Sequence, residues 1–441
     1  MRREVRSLLG LALPVILAEI GWMAMGLVDT IMVGPLGPAA IGATGMGSGV
    51  FTAIVIFGMG LMLGLDTFVS QAYGARRLDE CVGWLHQGVW LAVIVGPVLM
   101  AVTWAVFLTL DSWGLHPDIR VLVGPYLRGI SFGAIPLLLY AGFRRYLQGI
   151  HVVRPIMIAL VSANVVNAAA NWVLIYGHFG MPALGVEGSA WATDIARVYM
   201  AAFLYVALRR VHRKRGDAHP QVPFGLDLAR VRRLVAMGFP AASQITLEVG
   251  VFATATAMAG KLDPISSGAH QIALNVAGLA FMVPLGLASA SAVRVGHAIG
   301  AGEPLRAIRA GWLAMGVGAL LMMALGAALF VWPEPILRLF TGDGRLVSLG
   351  AQLLGVAAAF QLFDGTQAVA TGVLRGIGNT RTPMVVNVIG HWAFGLPVGY
   401  ALCFHYGWGV IGLWIGLSSG LVVVAIALTI AWARNASRIA A

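Results

Sequence analysis

Seven carboxylates stand inside long apolar runs of this sequence: Glu19, Asp29, Asp66, Glu187, Asp194, Glu248 and Asp364, accompanied by Arg197 and His391. A charged group at the centre of a bilayer helix costs about 2.5–3.5 kcal/mol on insertion scales, so each is a functional candidate by default. Glu248 and Asp364 are the sharpest. Glu248 lies past the middle of its run, in Ser243-Gln-Ile-Thr-Leu-Glu248, and Asp364 lies mid-run, in Phe360-Gln-Leu-Phe-Asp364-Gly-Thr-Gln367. Neither has a basic residue within a helical turn. Two carboxylates sharing one cavity repel each other, so the pair binds a cation, either a shared proton or Na⁺ on hard oxygen ligands. The bland alternative is two unrelated carboxyls, each bonded to backbone at a kink. Gln367 and Gln271 are secondary candidates beside the pair.

A second polar group forms in the first half. Asp29 sits in Gly26-Leu-Val-Asp29-Thr30, and Asn164, Asn167 and Asn171 recur at i, i+3, i+7 on one helix face. Amides facing lipid would be unsatisfied, so this face should meet Asp29, as a site or as interhelical hydrogen-bond glue. Asp194 and Arg197, three apart, read as a structural ion pair. Glu19 is open: lining an inner cavity is one reading. Asp66 and Glu187 read as interfacial, and His391 as a packed histidine. No catalytic constellation appears. There is no phosphate-binding glycine loop and no zinc-spaced His/Glu motif, and Gly372–Gly378 ends an apolar helix rather than following a strand.

Positioning these groups requires membrane helices. Of 441 residues, 59% are hydrophobic and only 11% charged, with a mean hydropathy of +0.85. A soluble domain carries about 25% charge, so composition excludes soluble enzymes, disordered chains and cytosolic nucleic-acid binders. Runs of about 20 apolar residues cross a bilayer as helices. Twelve are found, near 8–33, 46–72, 84–108, 122–143, 155–177, 186–208, 234–259, 268–296, 310–332, 347–373, 384–404 and 409–433. The basic start, Met1–Arg6, imitates a signal peptide, but its apolar run is too long, and we read it as a retained first span. Cys81 and Cys403 form no framework.

An even span count puts both termini on one side. With that side cytoplasmic, 22 of the 29 Lys and Arg fall inside: Arg2, Arg3, Arg6, Arg76, Arg77, Arg144, Arg145, Arg154, Arg306, Arg309, Arg375, Arg381, Arg434 and Arg438, plus eight between Arg209 and Arg233. Positive-inside asymmetry therefore predicts cytoplasmic termini. The basic stretch 209–233 is an orientation signal and a linker between two halves, 1–208 and 234–441. Shifted by 226 residues, Pro14 meets Pro240, Gly42 meets Gly268, Gly60 meets Gly286 and Gly74 meets Gly300. Two six-span halves of like orientation are related by an axis along the membrane normal, a transporter plan with substrate between them. The expected fold is thus an all-α polytopic membrane protein of two pseudo-symmetric six-helix bundles.

These residues resemble the multidrug and toxic compound extrusion (MATE) family, nearest its NorM-like branch. The resemblance covers nearly the whole chain. It rests on Pro14, Gly26-Leu-Val-Asp-Thr-Ile-Met-Val-Gly34, Gly64-Leu-Asp-Thr-Phe-Val-Ser-Gln-Ala-Tyr-Gly74, Leu147-Gln-Gly149, Pro155 with the asparagine ladder, Gly185-Val-Glu-Gly188, Gln271-Ile-Ala-Leu-Asn275, Gly296-His-Ala-Ile-Gly300 and Leu374-Arg-Gly-Ile-Gly-Asn379. It implies a V of two bundles exporting cationic lipophilic drugs or metabolites in exchange for Na⁺ or H⁺. By motif position, Glu248 and Asp364 would hold the cation, Na⁺ included, and Asp29, Asn167 and Asn171 would form the first-half site. Glu19 has no place in that pattern. No cofactor beyond the coupling ion is implied. The expected partners are the small-molecule substrate and membrane lipid, with no nucleic acid. The expected state is a monomer in a bacterial inner membrane. A lipid-linked precursor flippase, which would want a basic cavity, and a membrane-embedded enzyme are the competing readings.

Overall fold

The computed structural model describes residues 2–215 and 222–440. Part of the expected linker, 216–221, lies outside the described residues, as do the side chains of Arg2, Arg3 and Arg215.

The described chain is helical from end to end. In the first half, α1 (Arg2–Val33) is followed by α2 (Pro38–Met62), α3 (Gly64–Gly74), α4 (Leu78–Thr109), α5 (Pro117–Ser131), α6 (Ala134–Gly149), α7 (Arg154–Tyr176) and α8 (Val186–Arg215). The second half holds α9 (Leu228–Ala259), α10 (Pro264–Gly300), α11 (Pro304–Val331), the short α12 (Pro333–Arg338), α13 (Gly344–Gly376), α14 (Arg381–Asn387), α15 (Leu396–Tyr400) and α16 (Gly409–Ala440). Two π-helical stretches, Val388–Gly395 and Ala401–His405, flank α15. Proline opens α2, α5, α10, α11 and α12, where its missing N–H costs nothing. Asp263 caps α10 by accepting from the Ile265 and Ser266 amides.

Among the described residues, eleven spans are long and apolar enough to cross a membrane. The pair α5 and α6, bent by 45° between Ser131 and Ala134, makes twelve if counted as one. The fourth expected span, 122–143, is that bent pair.

The chain divides into two compact units. One comprises Met1–Ile16 with Ser243–Ala441, the other Leu17–Ala242. Both division points fall inside helices, α1 and α9, each two residues past a proline, Pro14 or Pro240. Ile16 and Ala242 are 226 residues apart, the offset of the sequence repeat. In the unit holding α13, a core cluster joins Val251, Ala255 and Ala259 of α9 to Leu353, Leu354, Ala357 and Phe360 of α13 and to Trp414, Leu417 and Leu421 of α16.

Candidate functional site

In the unit carrying the second half, α9 and α13 bring Glu248 and Asp364 together. Gln367 Nε2 donates to Glu248 Oε1 at 3.1 Å. Gln367, three residues past Asp364, also hydrogen-bonds that carboxyl, and Asp364 feels the Glu248 charge directly. Gln244, one turn before Glu248, gives the latter a further hydrogen bond. Asp364 is buried at 9% exposure, while Glu248 is half-buried. The ion pairs of the described residues involve neither acid, although buried charges are normally paired. The backbone beside Glu248 is held by the first π-helical stretch, whose Trp392 Nε1 donates to Leu247 O at 3.0 Å. Such wide turns commonly mark functional positions. Neither Gln244 nor Trp392 was singled out by sequence. Gln244 carried a readable signal, a polar residue four before Glu248 in an apolar run. Gln271 is exposed on α10 and is not among the partners of either acid.

The other unit holds the asparagine group. Asn167 Nδ2 and Asn171 Nδ2 donate to Asp29 Oδ1 at 2.9 and 2.7 Å. Thr193 Oγ1 of α8 donates to Asp29 Oδ2 at 2.8 Å. Asn164, the third rung of the ladder, leaves the group. Its Nδ2 donates to Gly21 O and to its own Leu160 O, both at 2.9 Å. Thr193 was missed because a threonine in an apolar helix has many bland roles. Asp194 and Arg197 pair at 3.0 Å as expected. The Arg197 guanidinium lies 4.4 Å over the Phe51 ring.

Asp66, in the first turn of α3, is fully buried at 0% exposure and pairs with Arg145 at 3.3 Å. Arg144 and Arg375 are buried as Arg197 is, and Arg144 pairs with Glu19. Hydropathy ends the span at the first charge, at 143. In the fold α6 continues to Gly149, since acids on α1 and α3 meet its two arginines. Glu19 therefore stands opposite a cation inside the bundle. Glu187 is in the first turn of α8, where it accepts from Trp191 Nε1 at 3.3 Å. His391 is buried at 2% exposure within the first π-helical stretch. Among the described residues no cluster of three His, Cys, Asp or Glu side chains suits a metal.

The MatE family pattern matches residues 14–173 and, a second time, 240–401. The chain belongs to the MatE family. The two MatE matches begin at Pro14 and Pro240, so one pattern accounts for both halves of the repeat. Similar bacterial proteins include the "Probable multidrug resistance protein NorM" of Mesorhizobium japonicum, 36% identical across 98% of this chain and 94% of its own. The "Multidrug resistance protein NorM" of Burkholderia vietnamiensis is also 36% identical, across 96% and 92%. Among solved structures, the eukaryotic MATE transporter AtDTX14 superposes with a TM-score of 0.88 over 99% of this chain and 98% of that one. At 22% identity it speaks for the fold alone. This MatE chain is accordingly an integral membrane protein.

Proposed function

We propose that this MatE protein is a secondary multidrug efflux transporter that exports lipophilic cations in exchange for Na⁺ or H⁺. The observation that carries the reading is the pair Glu248 and Asp364. They come from separate helices, are bridged by Gln367 and, among the described residues, pair with no basic side chain. Such a pair is a site for a small cation and, alternately, for a bulkier one. Competition gives the exchange, provided affinities differ between the outward- and inward-facing states. Asp29 with Asn167, Asn171 and Thr193 forms the polar site of the other unit, which has an internal cation in Arg197 near by. The names of the bacterial relatives support drug export.

In this reading both termini are cytoplasmic in a bacterial inner membrane, with repeats 1–208 and 234–441 joined by the basic stretch 209–233. A monomer is the working unit, lipid surrounds it, and the coupling ion takes the place of a cofactor. Buried Arg144 and Arg197 are each matched by an acid, which disfavours a flippase built around a basic cavity. Glu248→Gln and Asp364→Asn should each abolish ethidium export in cells at unchanged protein level. Wild-type resistance in both variants would refute the assignment.

A further inference from the structure

One face of α13 changes character at its middle. At 3.6 residues per turn, Leu353, Ala357, Phe360, Gln361, Asp364, Gln367, Thr371 and Arg375 fall within about 120° of the helix circumference. Up to Phe360 this face belongs to the apolar core cluster with α9 and α16. From Gln361 onward every residue just named is polar, and the stripe ends at Arg375 in the last turn, where the helix dipole favours a cation.

Four polar atoms of the stripe are not satisfied by protein. Gln361 is wholly buried, and both its Nε2 and its Oε1 are without a hydrogen-bond partner. Gln367 Oε1 and Thr371 Oγ1 are likewise buried and unpartnered. The helix facing Gln361 gives nothing polar: a Cβ on Gly326 of α11 would lie 3.4 Å from Gln361 Cβ, and Met322 of α11 faces Gly365. Buried polar atoms are nearly always paired, with protein or with ordered water, and a water needs two to four such partners. Four unpartnered atoms at i, i+6 and i+10 of one face lie on either side of Asp364 at i+3, and each is suited to bind water.

We propose that the polar face of α13 is a water-lined leg of the cation path, connecting Asp364 and Glu248 to the C-terminal end of α13. Its ligands are water and the small monovalent coupling cation, both suited to amide and hydroxyl oxygens. In the other direction the apolar face from Leu353 to Phe360 seals the acids. In the orientation proposed above, the open end is cytoplasmic, so the cation is released inward through this bundle. The inference rests on the reading of Glu248 and Asp364 as the cation site.

The test is cysteine accessibility in membrane vesicles, with the two buried native thiols, Cys81 and Cys403, replaced by alanine. Leu353→Cys, Ala357→Cys, Gln361→Cys and Thr371→Cys are each exposed to neutral 2-hydroxyethyl methanethiosulfonate. Thiols reached by water should react at least about tenfold faster than sealed ones. Faster labelling at 361 and 371 than at 353 and 357 is expected. Equal rates, or the reverse order, overturn the proposal. In parallel, Thr371→Val should slow ethidium efflux driven by an imposed cation gradient while leaving ethidium affinity unchanged. Unchanged efflux would also overturn it. Normal export by Asp364→Asn would instead sink the cation-site reading and leave the labelling result standing, so the two failures are distinguishable.

Discussion

Adjacent arginines of α6 are both neutralised by acids from other helices. Arg144 meets Glu19 of α1, and Arg145 meets Asp66 of α3. Desolvating such charges is expensive, and removing one partner of a buried pair costs about 3–5 kcal/mol because the other is stranded. Arg144→Met should therefore lower the melting temperature sharply in detergent. Replacing both members by apolar groups is often neutral. The double variant Glu19→Leu, Arg144→Met should thus recover most of that loss, whereas a purely additive drop would show that the pair is not the reason. The pair has no counterpart in the second half, where Ile245 stands 226 residues beyond Glu19. Glu248 and Asp364 differ from it in that, among the described residues, neither pairs with a basic side chain.

Helix contacts in the unit of the acid pair depend on missing side chains. A Cβ on Gly372 of α13 would stand 2.2 Å from Ala288 O of α10, backbone that cannot yield as a side chain can. Gly372→Ala should therefore force the two helices apart and cost about 1–3 kcal/mol, the usual penalty for overpacking. Gly355→Ala on the same helix, with nothing within 4 Å, is the control that should melt like wild type. The start of α10 gives a pH prediction. Hydrogen bonds from the Ser266 hydroxyl and amide hold the Asp263 carboxyl below its ordinary 3.8. A depressed folded value means that the cap stabilises above the ordinary value and fades as pH falls through the lower one. Melting curves taken down to that range should lose this contribution in wild type and show no such loss in Asp263→Ala.

At the scale of the molecule, the expected behaviour is exchange. Inverted vesicles given an imposed Na⁺ gradient or an imposed pH gradient should accumulate ethidium with one of the two and lose that ability in Glu248→Gln; accumulation under neither gradient would refute antiport. The sequence by itself determined that the chain is a doubled set of membrane helices, because hydropathy and a 226-residue offset are properties of the linear order. It also singled out Glu248, Asp364, Asp29, Asn167 and Asn171, because an ionisable or amide side chain in an apolar run is conspicuous without coordinates. Only the tertiary structure decided their company. Gln367 rather than a cation joins the two acids, Thr193 completes the shell of Asp29 while Asn164 turns away to Gly21, and Glu19 and Asp66 are answered by Arg144 and Arg145. Those pairings link residues 100 or more positions apart in most cases, and which helix faces meet is set by packing, which no local pattern encodes.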